Sequence, residues 1–131
     1  MALCVAIHAA GLAGIVERVR RWHWSPERYW YTTWLFARVA AWAILLHLAE
    51  IAVWGVFYLA TGAFEDAPSA FYFSAVTYTT TGYGDLVLPQ MWRLVGGIEA
   101  LTGILMCGWS TGFFFAVVSR LHQQRAEITR A

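Results

Sequence analysis

Seven consecutive residues, Thr79-Thr80-Thr81-Gly82-Tyr83-Gly84-Asp85, hold most of the chemistry this chain can do. They interrupt a sequence that is 60% hydrophobic, so their polarity has to serve something. Gly82 and Gly84 permit positive φ, where a residue with a Cβ is strained. Alternating such residues with ordinary ones turns successive carbonyls to one side of an extended chain. One such ladder of oxygens is untenable in lipid. Several ladders around a common axis make stacked oxygen rings that a dehydrated cation can satisfy. The remaining candidates, His8, His47, Glu50 and Glu99, are scattered through apolar stretches. They form no convergent acid–base or nucleophile set, so an enzyme is not expected. Cys4 and Cys107 fit no metal-ligand spacing and read as buried free thiols.

The elements that must position the seven residues belong in a membrane. Only 13% of the 131 residues are charged, against about a quarter in a soluble domain. The nine basic residues are all arginine and face eight acids, a balance that gives no reason to expect nucleic acid as a partner. Residues 35–60 and 94–118 are long enough to cross a bilayer, whereas residues 1–16 are at the short end. The first stretch lacks a basic leader, so it reads as a spanning helix, or part of a longer one, rather than a signal peptide.

Arginine sets the orientation. Arg18, Arg20, Arg21 and Arg28 precede the second stretch, and Arg120, Arg125 and Arg130 follow the third. The loop 61–93 holds Arg93 beside Glu65, Asp66 and Asp85. Residues 17–34 and the C-terminus are therefore expected in the cytoplasm, with the loop outside. Trp24, Tyr29, Trp30, Tyr31 and Trp34 read as an interfacial belt, and Arg38 as a side chain that snorkels to that interface.

Within the loop, Glu65-Asp66-Ala67-Pro68-Ser69 reads as a helix start, with an acid near the cap and proline in the first turn. The apolar run that follows extends about 16 Å as a helix, half a hydrocarbon core. It can dip in but cannot cross. Glycine-rich chain returning outward completes a re-entrant loop, and the helix's negative C-terminal end favours a cation at its tip.

In this setting the seven residues resemble the potassium-channel pore signature T-T-V-G-Y-G-D, matching at all positions but Thr81. The resemblance covers residues 35 to about 121, in the order outer helix, pore helix, filter, inner helix. It implies potassium sites at the backbone carbonyls of Thr80, Thr81, Gly82 and Tyr83, with the Thr80 hydroxyl adding the innermost ring. It implies that Gly84 closes the outer mouth, that Tyr83 packs against Tyr72, Phe73 and Tyr78, and that Thr79 and Asp85 support the filter. Thr81 stands where valine is usual, and its hydroxyl needs a partner. Some bacterial relatives carry a pore-helix glutamate where this chain has Val76, which leaves Asp85 without that partner.

Other polar positions have two readings. His47 and Glu50, three apart, share a helix face and could pair with each other or with Glu99; a structural hydrogen bond is favoured over pH sensing. Glu99 could alternatively brace the filter from behind. By similarity to the family, Gly103 or Gly108 would be an inner-helix hinge, and Phe113, Phe114 and Phe115 a hydrophobic constriction; the plainer reading of both is packing.

The expectation is an all-α membrane protein with outer helix, re-entrant pore helix and filter, inner helix, and an additional N-terminal transmembrane helix. Residues 1–34 form that helix and an Arg/Trp-rich linker, 35–121 the pore domain, and 122–131 a short cytoplasmic tail. One filter per chain implies a homotetramer in the bilayer that conducts K+ passively, without a small-molecule substrate. A nonselective cation channel and a non-conducting accessory subunit are the alternatives. The chain holds no arginine-periodic helix and no ligand domain, though a longer native protein could add either. Arginine-only basicity with much alanine hints at a bacterial inner membrane.

Overall fold

The computed structural model describes residues 1–20 and 29–130, and among them every regular element is helical. Four α-helices appear in chain order: α1 (Ala2–Arg20), α2 (Tyr29–Ala60), α3 (Ala67–Tyr78) and α4 (Arg93–Arg130). A single 3-10 turn, Gln90–Trp92, leads into α4. Among the described residues two stretches are long and apolar enough to cross a membrane, Thr32–Ala60 and Gln90–Arg120. At 19 residues α1 reaches about 28 Å.

Helix extents differ from expectation at both ends of the pore domain. α2 begins at Tyr29, so Trp30 and Trp34 are exposed on its first turns rather than in a linker. α4 continues to Arg130, so the expected tail is a continuation of the inner helix. Arg21, Trp24 and Arg28 lie outside the described residues.

Local chemistry explains the stops and starts. α2 ends in a reciprocal cap: Ala63 N–H donates to Tyr58 O at 3.0 Å and Gly62 N–H to Leu59 O at 3.1 Å. That geometry needs a left-handed residue after the last turn, and Gly62 has φ +69°. Asp66 caps α3, its Oδ1 accepting from Ser69 N at 2.9 Å, and Pro68 occupies the first turn. α3 is 12 residues long, about 18 Å, which confirms a helix too short to cross.

The core is assembled around α3. Trp54, Tyr58, Ala70, Tyr78 and Met106 form one buried cluster with Cys4 from α1. Leu12, Ile15, Leu35 and Val39 form a second where α1 meets α2, with Phe113 and Phe114 of α4 packed against it. Gly11 leaves room there for the Leu46 side chain, which would have to shift to accommodate a Cβ. Arg18 and Arg38 line a cavity of about 650 Å³ between the two helices, and the Arg18 guanidinium lies 5.6 Å from the Trp42 ring centre. Polarity is inverted relative to a soluble protein. Glu50, Glu99 and His8 are fully buried, while Ile44, Leu45, Leu48, Ile104 and Leu105 face outward. Outward leucine on a spanning helix is the arrangement that lipid or a neighbouring subunit requires.

Candidate functional site

The backbone of residues 79–85 carries the geometry. Thr79 ends α3 with ordinary helical φ, and then Thr80, Gly82 and Gly84 take φ of +60°, +56° and +79°. Left-handed residues alternate with ordinary ones, as the carbonyl ladder requires. Space is not the reason for the glycines, because a Cβ on Gly82 or Gly84 would meet nothing within 4 Å. Their conformation is the reason. Thr80 holds the same region with a β-branched side chain, a strain that persists only where the surroundings impose it.

Hydrogen bonding then separates donors from acceptors. The N–H groups of Thr80, Thr81 and Gly82 donate back to α3, to Thr77 O, Val76 O and Val76 O at 2.9, 2.9 and 3.2 Å. Among the described residues, no backbone N–H donates to the carbonyls of Thr80, Thr81, Gly82 or Tyr83. These three donors are tied down and the acceptors are left without a backbone partner among the described residues.

Side chains brace this loop. Thr79 Oγ1 donates to Ala75 O at 2.7 Å, so its 2.9 Å contact with Thr81 Oγ1 is a bond that Thr81 donates. The hydroxyl that distinguishes Thr81 from valine thus has its partner in the same chain. Asp85 accepts from the Tyr72 hydroxyl at 2.7 Å, which answers how it is held without a pore-helix acid. That bond keeps the Asp85 carboxyl below the usual carboxylate range. Val76 lines a cavity of about 120 Å³ behind the filter, together with Tyr72, Thr77, Gly82 and Asp85. Tyr83 is exposed in the single chain, and Tyr78 turns away from it into the protein.

Glu99 lies behind the pore helix rather than the filter. It accepts from Tyr58 Oη at 2.7 Å and lies 2.6 Å from Ser74 Oγ, which in turn bonds Ile51 O at 2.8 Å. Ser74 has one proton for two partners. Both contacts are hydrogen bonds at once when Glu99 carries a proton and donates it to Ser74. This chain of bonds ties α2, the middle of α3 and α4 together.

A second polar group closes on itself. His8 Nδ1 lies 2.8 Å from Glu50 Oε1, and His8 Nε2 lies 3.0 Å from Ser110 Oγ. Ser110 Oγ is also 3.3 Å from His47 Nε2, and His47 Nδ1 is 3.0 Å from Tyr78 Oη. Tyr78 then donates to Glu50 Oε2. Five side chains from all four α-helices make a ring of five bonds, and each bond needs one proton. The five groups hold five protons only when the ring as a whole is neutral. Glu50 therefore pairs with His8 and Tyr78, not with Glu99; His47 approaches Glu50 Oε2 at 3.7 Å.

The expected hinge and constriction residues fall in different surroundings. A Cβ on Gly103 would lie 1.9 Å from Tyr78 O, so this glycine lets α4 pass directly against the end of the pore helix. Gly108 has nothing within 4 Å of its Cβ position. Phe113 and Phe114 pack within the subunit, with Phe114 and Phe36 rings 5.5 Å apart, while Phe115 is exposed. Cys4 is buried as expected, but Cys107 is exposed. Sequence reasoning read His8, His47 and Glu50 as scattered, whereas the fold brings them together, and it missed Tyr58, Ser74 and Ser110, polar residues of apolar helices whose partners lie in other elements.

A short helix halting midway, a carbonyl-bearing turn and two flanking spanning helices define the subunit of a pore-loop membrane channel. Residues 44–120 match the family described as "Ion channel". The chain belongs to this ion-channel family, in its potassium-channel pore type, and so is not an enzyme. It is 36% identical over 62 residues to the potassium voltage-gated channel protein Shal of Drosophila melanogaster, covering 47% of this chain and 11% of that one. It is 49% identical over 43 residues to the potassium voltage-gated channel protein shk-1 of Caenorhabditis elegans, covering 32% of this chain and 8% of that one. The matches thus span about a tenth of either relative's length. No solved structure matches.

Proposed function

We propose that four copies of this chain surround a common axis and conduct K+ passively and selectively through stacked carbonyl rings. The carbonyls of Thr80, Thr81, Gly82 and Tyr83 coordinate the ion, and the Thr80 hydroxyl adds the innermost ring. Gly84 ends the filter at its outer mouth, while Thr79, Val76 and Asp85 hold its outer wall. The observation that carries this reading is the alternation of φ at Thr80, Gly82 and Gly84 with donors bonded inward. Irregular backbone of this kind is tolerated at membrane depth only where it lines a protein-enclosed or ion-filled space.

Orientation follows from arginine: the loop bearing the filter faces outward, and the C-terminus and the α1–α2 connection face the cytoplasm, in a cell membrane of bacterial type. Gly103 or Gly108 is the position about which α4 bends, and Phe115, exposed on the single chain, narrows the inner end. Glu99 supports the filter indirectly, by fixing the pore helix through Ser74.

Cation flux from reconstituted protein tests the reading. Wild-type protein is expected to pass K+ and to be blocked by barium, and Gly82→Ala to abolish the flux. Potassium flux that survives Gly82→Ala removes the filter assignment. A tetramer without flux makes the chain an accessory subunit.

A further inference from the structure

The ring of His8, His47, Glu50, Tyr78 and Ser110 takes no part in ion coordination by the filter, yet its donors are arranged like a metal site. Both imidazoles turn Nδ1 toward Glu50, at 2.8 and 3.7 Å, and Nε2 toward Ser110, at 3.0 and 3.3 Å. One ligand atom from each of His8, His47 and Glu50 lies within 4.8 Å of the others. A tetrahedral zinc with bonds near 2.0–2.1 Å places its ligand atoms about 3.3 Å apart. The separations here bracket that value, so small side-chain shifts suffice. Tyr78 Oη, bonded to Glu50 and 3.0 Å from His47 Nδ1, stands in the fourth position.

The donor types choose the metal. Two imidazoles and a carboxylate suit zinc-class dications, whereas calcium and magnesium take oxygen alone. Ser110 holds each imidazole by its far nitrogen, as outer partners of ligating histidines do. We propose that His8 Nδ1, His47 Nδ1, the Glu50 carboxylate and the Tyr78 oxygen form a binding site for a zinc-class transition-metal ion. The charge balance closes. The neutral ring releases two protons, one shared by the Glu50–His8 pair and one from the Tyr78 phenol, and accepts one dication, so its net charge stays zero. Neutrality matters here because an unbalanced charge is costly at this depth. Both histidines then donate Nε2–H to Ser110 Oγ. The bound ion would clamp α1, α2 and the last residue of the pore helix together. Side-chain geometry alone supports the site, whether or not the chain conducts.

The test uses the 131-residue protein in detergent, carrying Cys4→Ala and Cys107→Ala so that thiols cannot bind metal. Co2+ serves as the optical probe, and Zn2+ is titrated by calorimetry in two buffers of different ionisation enthalpy. One metal per chain is expected, with the intense visible bands of four-coordinate Co2+ and two protons released per Zn2+. Glu50→Gln preserves the ring, since its amide donates to His8 and accepts from Tyr78 as the neutral carboxyl does, but it removes the anionic ligand. It should fold, as helical circular dichroism reports, and lose metal binding. Ser110→Ala keeps every ligand and should weaken binding about 10- to 100-fold. Binding that persists in Glu50→Gln, Zn2+ uptake without proton release, or no binding below millimolar Zn2+ overturns the proposal.

Discussion

The filter and the buried ring meet at adjacent residues, Thr79 and Tyr78, and treat polarity in opposite ways. In the filter, the N–H groups of Thr80, Thr81 and Gly82 are bonded to α3, while among the described residues no backbone N–H donates to the carbonyls of 80–83. In the ring, each donor finds one acceptor and the circuit closes. On the proposed function one region needs an outside cation, whereas the other needs nothing in its proton-filled state. The difference teaches why a membrane chain tolerates both. Unsatisfied oxygens are admissible where several chains converge on an ion, and ionisable side chains are admissible where they pair.

Substitutions can break the contrast from either side. The largest effect is expected at Gly82: Ala places a Cβ on a residue at φ +56° and should abolish potassium flux in liposomes while leaving the proposed tetramer intact on gel filtration. Gly103 comes next. With Tyr78 O 1.9 Å from its Cβ position, Gly103→Ala forces α4 off the pore helix and should cost about 1–3 kcal/mol in denaturant unfolding.

The ring offers a graded comparison. Glu50→Ala leaves His8 and Tyr78 without their buried partner and should cost about 1–3 kcal/mol. Glu50→Gln reproduces the neutral carboxyl and should cost much less. Equal losses for the two would contradict the closed ring.

The smallest effect concerns acid. Ser69 N–H holds the Asp66 carboxyl below its usual value of 3.8. A lowered carboxylate contributes stability that is fully present above the ordinary value and fades as pH falls through the lowered one. Thermal unfolding followed from about pH 6 to about pH 2 should therefore show a shallower acid limb in Asp66→Ala than in wild type.

How much of this was legible in the sequence depends on the range of the contacts. The backbone conformation at Gly82 and Gly84 was legible because glycine spacing encodes it locally, and the start of α3 because Asp66 and Pro68 act within one turn. Thr80 was not, although the same period of two, extended backward from Gly84 and Gly82, reaches it. Asp85 was left without a partner because Tyr72 lies 13 residues away, on a turn of α3 whose rotation the sequence does not state. The ring was illegible for a stronger reason. His8 finds Glu50 across 42 residues and Ser110 across 102, and only the docking of α1 brings them together. The placement of Phe113 and Phe114 against the α1–α2 cluster depends on the same docking.

Selective conduction is the central claim, and a bi-ionic reversal potential measures it most directly. With K+ on one side of a bilayer and Na+ on the other, reconstituted protein should reverse far from zero, toward the potassium equilibrium potential. Currents that reverse near zero would contradict a carbonyl filter selective for potassium.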